Sequence, residues 1–219
     1  MMAHAQRIGH ARRHRNDGDA VIHQAGLYGL AMRLWGRQGR RWRADIARRL
    51  NLQPGQRVLD VASGTGHLAI ELAAHVSPGG EVNGVDASPE MVHHASANGA
   101  RRGVPVTFQY ARAQELPFAD DTLDVVTSTL AFHHVAAQER PQAVREMRRV
   151  LRPGGTILIA DAQVPSAGLA RWISRLVVGH AQAEKPLDQA AELLAAAGFI
   201  NLGRGDTSAS WIGVVTATK

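Results

Sequence analysis

The stretch from Val58 to Ala69 (VLDVASGTGHLA) constrains the fold of this chain more than any other. Val58-Leu59-Asp60-Val61 is a short apolar run with β-branched residues, the mark of a buried strand. It follows the turn-forming Gln53-Pro54-Gly55 and ends in Gly64-Thr65-Gly66. Beyond the glycines, Leu68, Ala69, Leu72, Ala73 and Val76 return on one helical face until Pro78-Gly79-Gly80 stops them. A strand that turns through glycines directly into a helix is the first half of a parallel βαβ unit.

The same alternation continues. Strands are predicted over 57–61, 81–86, 104–110, 123–128 and 156–161, with helices over 67–76, from Ser88-Pro89-Glu90 onward, over 139–151 and over 188–197. Ser88 suits an N-cap, Pro89 the first helical position, and Gly198 the residue just past a helix end. The last two predicted strands, 199–205 and 211–216, are joined by too few residues for a crossover, so they form an antiparallel hairpin. Residues 21–51 carry apolar residues at helical spacing, broken at Gly39-Arg40-Arg41, while residues 1–20 are polar and expected to be loose. The expected fold is therefore α/β: a doubly wound, Rossmann-like, mostly parallel seven-stranded sheet with an antiparallel edge hairpin and an N-terminal helical lid.

Composition narrows the chemistry. The 219 residues suit one domain, and the absence of cysteine excludes disulfides, thiolate metal sites and cysteine nucleophiles. No metal-ligand set is expected. No apolar run reaches the ~18 residues of a membrane span, and the N-terminus lacks the apolar core of a secretory signal, so a cytoplasmic setting is expected. Residues 1–50 hold eleven arginines against three aspartates, a net of +8 that leaves −2 for the rest of a +6 chain. Such an arm suits a solvated helical face, or an anionic neighbour.

The residues of the first half outline a ligand site. Gly64 and Gly66 allow close approach to backbone, and the helix start offers free N–H groups to an anion. Asp86 ends the second strand, 20 residues after Gly66, where an acid accepts hydrogen bonds from ribose hydroxyls. A nucleoside ligand follows; the alternative is a purely structural strand–turn–helix. Asp60 adds a second carboxylate, repulsive beside a pyrophosphate but suited to the ammonium of an amino acid. Only two lysines exist, Lys185 and Lys219, and neither lies near the carboxyl ends of the first four strands. These features favour S-adenosyl-L-methionine over a nicotinamide dinucleotide.

Five motifs in order carry a family resemblance: Asp60 to Gly66, Gly84-Val85-Asp86-Ala87-Ser88, Gln114 to Phe118, Ser128 to Val135 (STLAFHHV) and Leu151-Arg152-Pro153-Gly154-Gly155. Over about residues 54–161 the chain resembles class I S-adenosylmethionine-dependent methyltransferases, in the small-molecule branch of the ubiquinone/menaquinone C-methyltransferases. The resemblance implies that Ala62, Gly64, Thr65 and Gly66 hold the methionine part, Asp86 the ribose, and Ala87 and Met91 the adenine. It further implies Arg112 and Ala113 at the adenine edge, and Ser128 or Thr129 facing the methyl group. Arg112 departs from the usual Asp or Asn; an arginine only donates, so Gln114 is the other source of an acceptor. Residues 1–50 would form arm and lid, and 51–219 the methyltransferase domain.

Methyl transfer from a sulfonium needs positioning above all, and a base only if the acceptor loses a proton. His133 and His134 follow the fourth strand and are the candidate catalytic residues; the alternative is that they only shape the loop. The acceptor is expected to be small: a quinone, phenol or lipid. STLAFHHV is not the motif used on exocyclic amines of bases, so nucleic acid is not the expected partner. The Arg33–Arg43 segment, with Trp35 and Trp42, suits a packed helix, peripheral contact with an anionic membrane, or single-stranded nucleic acid. A nicotinamide oxidoreductase and a silent cofactor-binding partner are the competing function classes.

Overall fold

The computed structural model describes residues 36–163 and 186–219. The predicted helical stretch 21–35 and most of the 163–186 connection lie outside them, as do His23 and Tyr28. In chain order the elements are α1 (Gly36–Leu50), β1 (Arg57–Val61), α2 (His67–Val76), β2 (Glu81–Asp86), α3 (Pro89–Arg102), β3 (Val106–Tyr110) and β4 (Leu123–Thr129). A single turn of 3-10 helix (Phe132–His134) leads to α4 (Arg140–Val150), β5 (Leu151–Ala162), α5 (Pro186–Ala196), β6 (Ile200–Asp206) and β7 (Ile212–Thr218).

The seven strands form one sheet in the order β3-β2-β1-β4-β5-β7-β6. Strands β1 to β5 run parallel; β7 is antiparallel to both β5 and β6. The doubly wound sheet with an antiparallel edge is therefore present as the strand spacing predicted. Trp42, Ile46 and Leu50 of α1 join Leu68 and Leu72 of α2 on one face, against Val58, Val125 and Leu158 of the sheet. Val144 and Met147 of α4 and Leu194 of α5 cover the other face, against Leu59, Val126 and Ile157. Parallel strands buried on both faces explain why their sequences read as continuous apolar runs rather than alternating ones.

Several boundaries differ from the sequence expectation. The Gly39-Arg40-Arg41 break does not exist: α1 runs unbroken from Gly36 to Leu50. Glycine weakens a helix by about 1 kcal/mol without ending it. Here Gly39 is buried, and a Cβ there would sit 3.1 Å from the Arg43 guanidinium. Strand β3 starts at Val106 rather than at 104. Strand β5 starts at Leu151, through the Pro-Gly-Gly turn, because the Gly154 N–H donates to the Lys219 carbonyl and Gly155 accepts from Lys219. Ser88 caps α3 as expected, its hydroxyl accepting from the Met91 amide. Among the described residues no helix is long and apolar enough to cross a membrane.

Candidate active site

Strands β1 and β4 are neighbours, yet the chain leaves β1 for α2 on one face and reaches α4 on the other after β4. In open α/β sheets the ligand crevice forms beyond the carboxyl ends of strands at such a reversal. A cleft enclosing about 1110 Å³, its open mouth included, lies there. Its walls come from the loop after β1 (Ala62, Ser63, Gly64, Thr65), the end of β2 (Asp86, Ala87, Ser88, with Met91), Ala111, Ala113 and Gln114, and the end of β4 (Thr129, Leu130, Ala131, His134, Val135). His67 and Leu68 of α2 and Trp42 and Arg43 of α1 complete it.

Asp86 organises the wall it stands in. Its Oδ2 accepts from the Gly64 amide at 2.8 Å and its Oδ1 from the Ser88 amide at 2.9 Å. The carboxylate thus ties the end of β2 to the glycine loop while remaining on the cleft wall. Burial pushes its pKa up, against the pull of the Ser88 and Gly64 amides. Two wall residues other than glycine, Ala62 (φ 56°) and Leu130 (φ 54°), adopt left-handed backbone. Each such residue costs of order 1–3 kcal/mol and persists where the surrounding structure holds it, commonly at functional sites.

Ala62, Gly64, Thr65, Asp86, Ala87, Met91, Ala113, Gln114, Thr129 and His134 all line the cleft, so ten of the fifteen residues singled out from sequence meet in one place. Asp60, Gly66, Arg112, Ser128 and His133 are not on its wall. Asp60 lies beneath the loop, 1% exposed, with Oδ1 accepting from the Thr127 hydroxyl at 2.9 Å and Oδ2 lacking a partner. Burial, with Asp86 nearby, pushes its pKa up to about 7. Gly66 faces away from the cleft: a Cβ there would meet the Phe108 ring at 2.5 Å. Ser128 is buried and, two residues on from Val126 along β4, points to the same α4 face.

Arg112 turns to Glu139, with Nη2 3.1 Å from both carboxylate oxygens. The Gln114 amide nitrogen donates to the same carboxylate at 2.7 Å. That bond fixes the amide's orientation, and Oε1 accepts no hydrogen bond among the described residues. Gln114 lines the cleft, and Arg112 does not.

The two candidate histidines divide their surroundings. His134 lines the cleft; burial and the adjacent His133 lower its pKa, with Asp161 opposing them. His133 turns to Asp161, a fully buried carboxylate at the end of β5, with Nδ1 2.6 Å from Oδ1 and its amide donating to Oδ2 at 3.0 Å. Buried Arg140 holds the turn from the other side, donating from Nε to the Val135 carbonyl and from Nη2 to the His133 carbonyl. In the sequence Asp161 marks only the end of a predicted strand. The signal that marks it, an acid at a strand's carboxyl end, is the one that singled out Asp86.

Trp42 and Arg43 also carry no signal in the sequence, where residues 1–50 read as an arm and lid. Trp42 is 3% exposed, so it belongs to the core and the cleft wall rather than to an aromatic membrane surface. Arg40 and Arg41 are exposed, whereas Arg43 is buried and pairs through Nε with Glu71 at 3.2 Å. His67, beside them, is held neutral: burial and the arginines 43, 102 and 101 lower its pKa to about 4.

Residues 58–155 match the family described as "Methyltransferase domain". The crystal structure of the YcgJ protein of Bacillus subtilis is 32% identical, aligned over 75% of this chain and 69% of that one, with a TM-score of 0.60. The chain belongs to the methyltransferase-domain family. The chain is 35% identical to the ubiquinone/menaquinone biosynthesis C-methyltransferase of Geotalea daltonii, over 58% of this chain and 54% of that protein. It is 38% identical to the demethylmenaquinone methyltransferase of Halalkalibacterium halodurans, over 57% of this chain and 51% of that protein. The chain thus spans about half the length of these two relatives.

Proposed function

We propose that the chain binds S-adenosyl-L-methionine in the cleft and methylates a small acceptor of the quinol or phenol type, in the cytoplasm. The observation that carries this is the Asp86 carboxylate, held by the Gly64 and Ser88 amides on the wall of a cleft at the β1/β4 reversal. The residues present fit the cofactor. Asp86 would take the ribose hydroxyls, Met91, Ala87 and Ala113 would flank the base, and Gln114 Oε1 would accept from its amino group. A Cβ on Gly64 would meet nothing within 4 Å, so the loop leaves room at that point. When bound, the cofactor supplies an electrophilic methyl group on a sulfonium.

The chain's residues would do the rest. Thr129, Leu130 and His134, all on the wall, orient the acceptor and exclude water. His134 is kept neutral at ordinary pH by burial and by His133. Its imidazole would take the proton that an acceptor hydroxyl releases. Asp161 and Arg140 position the turn that carries it.

The names of the two quinone-related methyltransferases support a quinol-like acceptor. Arg112, the departure from the family pattern and the feature that would favour a silent cofactor-binding partner, is engaged with Glu139 and is not on the cleft wall. Among the described residues, peripheral contact with an anionic membrane rests on exposed Arg40, Arg41, Arg48 and Arg49. The test is transfer of labelled methyl from S-adenosylmethionine into quinol, phenol and lipid extracts. Label in a quinol or phenol supports the reading; no label in any extract from protein that binds the cofactor defeats it.

A further inference from the structure

Gln114 lines the cleft, and an amide side chain has two unlike ends, one that donates and one that accepts. Which end is left for a ligand is decided outside the cleft. The Gln114 Nε2 donates to Glu139 Oε2 at 2.7 Å. A carboxylate only accepts, so turning the amide round would set two acceptors against each other. Oε1 is the end left over, and it accepts no hydrogen bond among the described residues.

Glu139 is itself held in place. Arg112 Nη2 lies 3.1 Å from both of its oxygens, so the arginine fixes the carboxylate that fixes the amide. The backbone of this wall has separate anchors on α4. The Leu116 amide donates to Glu146 at 2.9 Å, and Arg149 donates to the Leu116 and Phe118 carbonyls at 2.9 and 2.8 Å. Loss of the Glu139 carboxylate would therefore free the Gln114 amide while the loop stays tied to α4.

We propose that Glu139, the residue before α4, is a positioning residue that sets the base selectivity of the cleft. By claiming the Gln114 nitrogen it leaves a carbonyl for the ligand, so the cleft takes a purine with a 6-amino donor and rejects one with a 6-oxo acceptor. The proposal rests on the S-adenosylmethionine reading. Glu139 is not on the cleft wall and acts through Gln114.

Two probes that differ at this one group test it: S-adenosylhomocysteine, with the 6-amino group, and S-inosylhomocysteine, with the 6-oxo group. Both are titrated calorimetrically into the full chain. Wild type should prefer the adenosyl probe by about tenfold or more, because a site built to accept a hydrogen bond rejects a ligand that cannot donate it. Glu139→Ala should cut the preference to below about threefold, and Gln114→Leu should bring it to the same level. Adding Glu139→Ala to Gln114→Leu should change the preference no further. A Glu139 that serves the fold alone would weaken both probes by one factor and leave the preference intact, and that result overturns the proposal. So does a wild type without preference, or a preference that survives Gln114→Leu. If Glu139→Ala does not fold, Glu139→Gln decides. Its single acceptor oxygen is shared by Arg112 and Gln114, so the preference should fall by at least about twofold, and an unchanged one overturns the proposal. Binding of neither probe would refute the cofactor reading and the role of Glu139 with it.

Discussion

The imidazole of His133 and the carboxylate of Asp161 meet at 2.6 Å, and the same carboxylate takes the His133 amide at 3.0 Å. The pair joins the turn after β4 to the end of β5, across 28 residues of chain. Because both carboxylate oxygens face His133, backbone and ring are fixed together, and the neighbouring His134 is aimed at the cleft. Asp161→Asn should therefore lower kcat by about tenfold while leaving cofactor affinity unchanged. Steady-state rates and a calorimetric titration on the same preparation check this. Equal loss in both would make Asp161 a residue of the fold alone.

His134 is the group that faces the reacting end. His134→Gln should reduce kcat by about a hundredfold, within the range for a lost general base. His133→Gln, one residue away, should cost less. The wild-type rate should fall on acidification, with its midpoint below the ordinary histidine value because burial and His133 lower the His134 pKa. A rate–pH profile whose acid limb survives in His134→Gln would assign the limb to another group.

Asp60 gives stability a pH dependence of unusual sign for a carboxylate. Its pKa is about 7 in the folded protein, above an unfolded value of 3.8, because burial disfavours the charged form. Between those two values the folded state binds more protons than the unfolded one, so stability falls as pH rises and levels off above pH 7. The total is roughly 4 kcal/mol, at about 1.4 kcal/mol per unit. Asp60→Asn removes the titration and should flatten the curve. Urea unfolding from pH 4 to pH 8 tests it, and parallel curves for variant and wild type would place the titration elsewhere.

Asp86→Asn is the cleaner probe of the ribose site. Asp86→Asn keeps one of the two bonds from the Gly64 and Ser88 amides, since an amide has a single acceptor oxygen, whereas Asp86→Ala releases both and disturbs the loop further. The asparagine variant should weaken S-adenosylhomocysteine by about 1.5–3 kcal/mol, the usual scale for hydrogen bonds to a charged group. Unchanged affinity in a folded protein would remove Asp86 from the nucleoside site.

Gly66 acts on the fold before it acts on any ligand. A Cβ there would lie 2.5 Å from Phe108 and 3.0 Å from Ala95, and the backbone has φ 75°. Gly66→Ala should lower stability by about 1–3 kcal/mol, and Phe108→Leu in the same chain should recover part of it. Thermal unfolding of the single and double variants measures both. Additive losses would show that Phe108 is not the obstacle.

The parallel strands were legible because each is short, apolar and flanked by glycine or proline. α2 and β2 have the ends that the sequence pattern predicts. The glycine loop and Asp86 were legible for the same local reason. What escaped was contact between distant segments. Nothing near Arg112 announces Glu139, and nothing near His133 announces Asp161, since each pairing exists only once strand order is known. α1 escaped differently. Its arginines gave a net charge that masked the contrast between exposed Arg40 and Arg41 and buried Arg43.

Leu130 is a leucine in a conformation that favours glycine, at φ 54°, with its amide donating to the Ala160 carbonyl at 2.8 Å. The bend it makes is thus imposed by the neighbouring strand rather than chosen by its own sequence. The consequence concerns tolerance to change. A jig made of β4 and β5 sets where His134 stands, and Leu130, Arg140 and Asp161 clamp it. Substitutions that reshape the far side of the cleft for a different acceptor need not retune the reacting end. Substitutions that slip β4 against β5 by one residue would swing the imidazole away, whatever acceptor is bound.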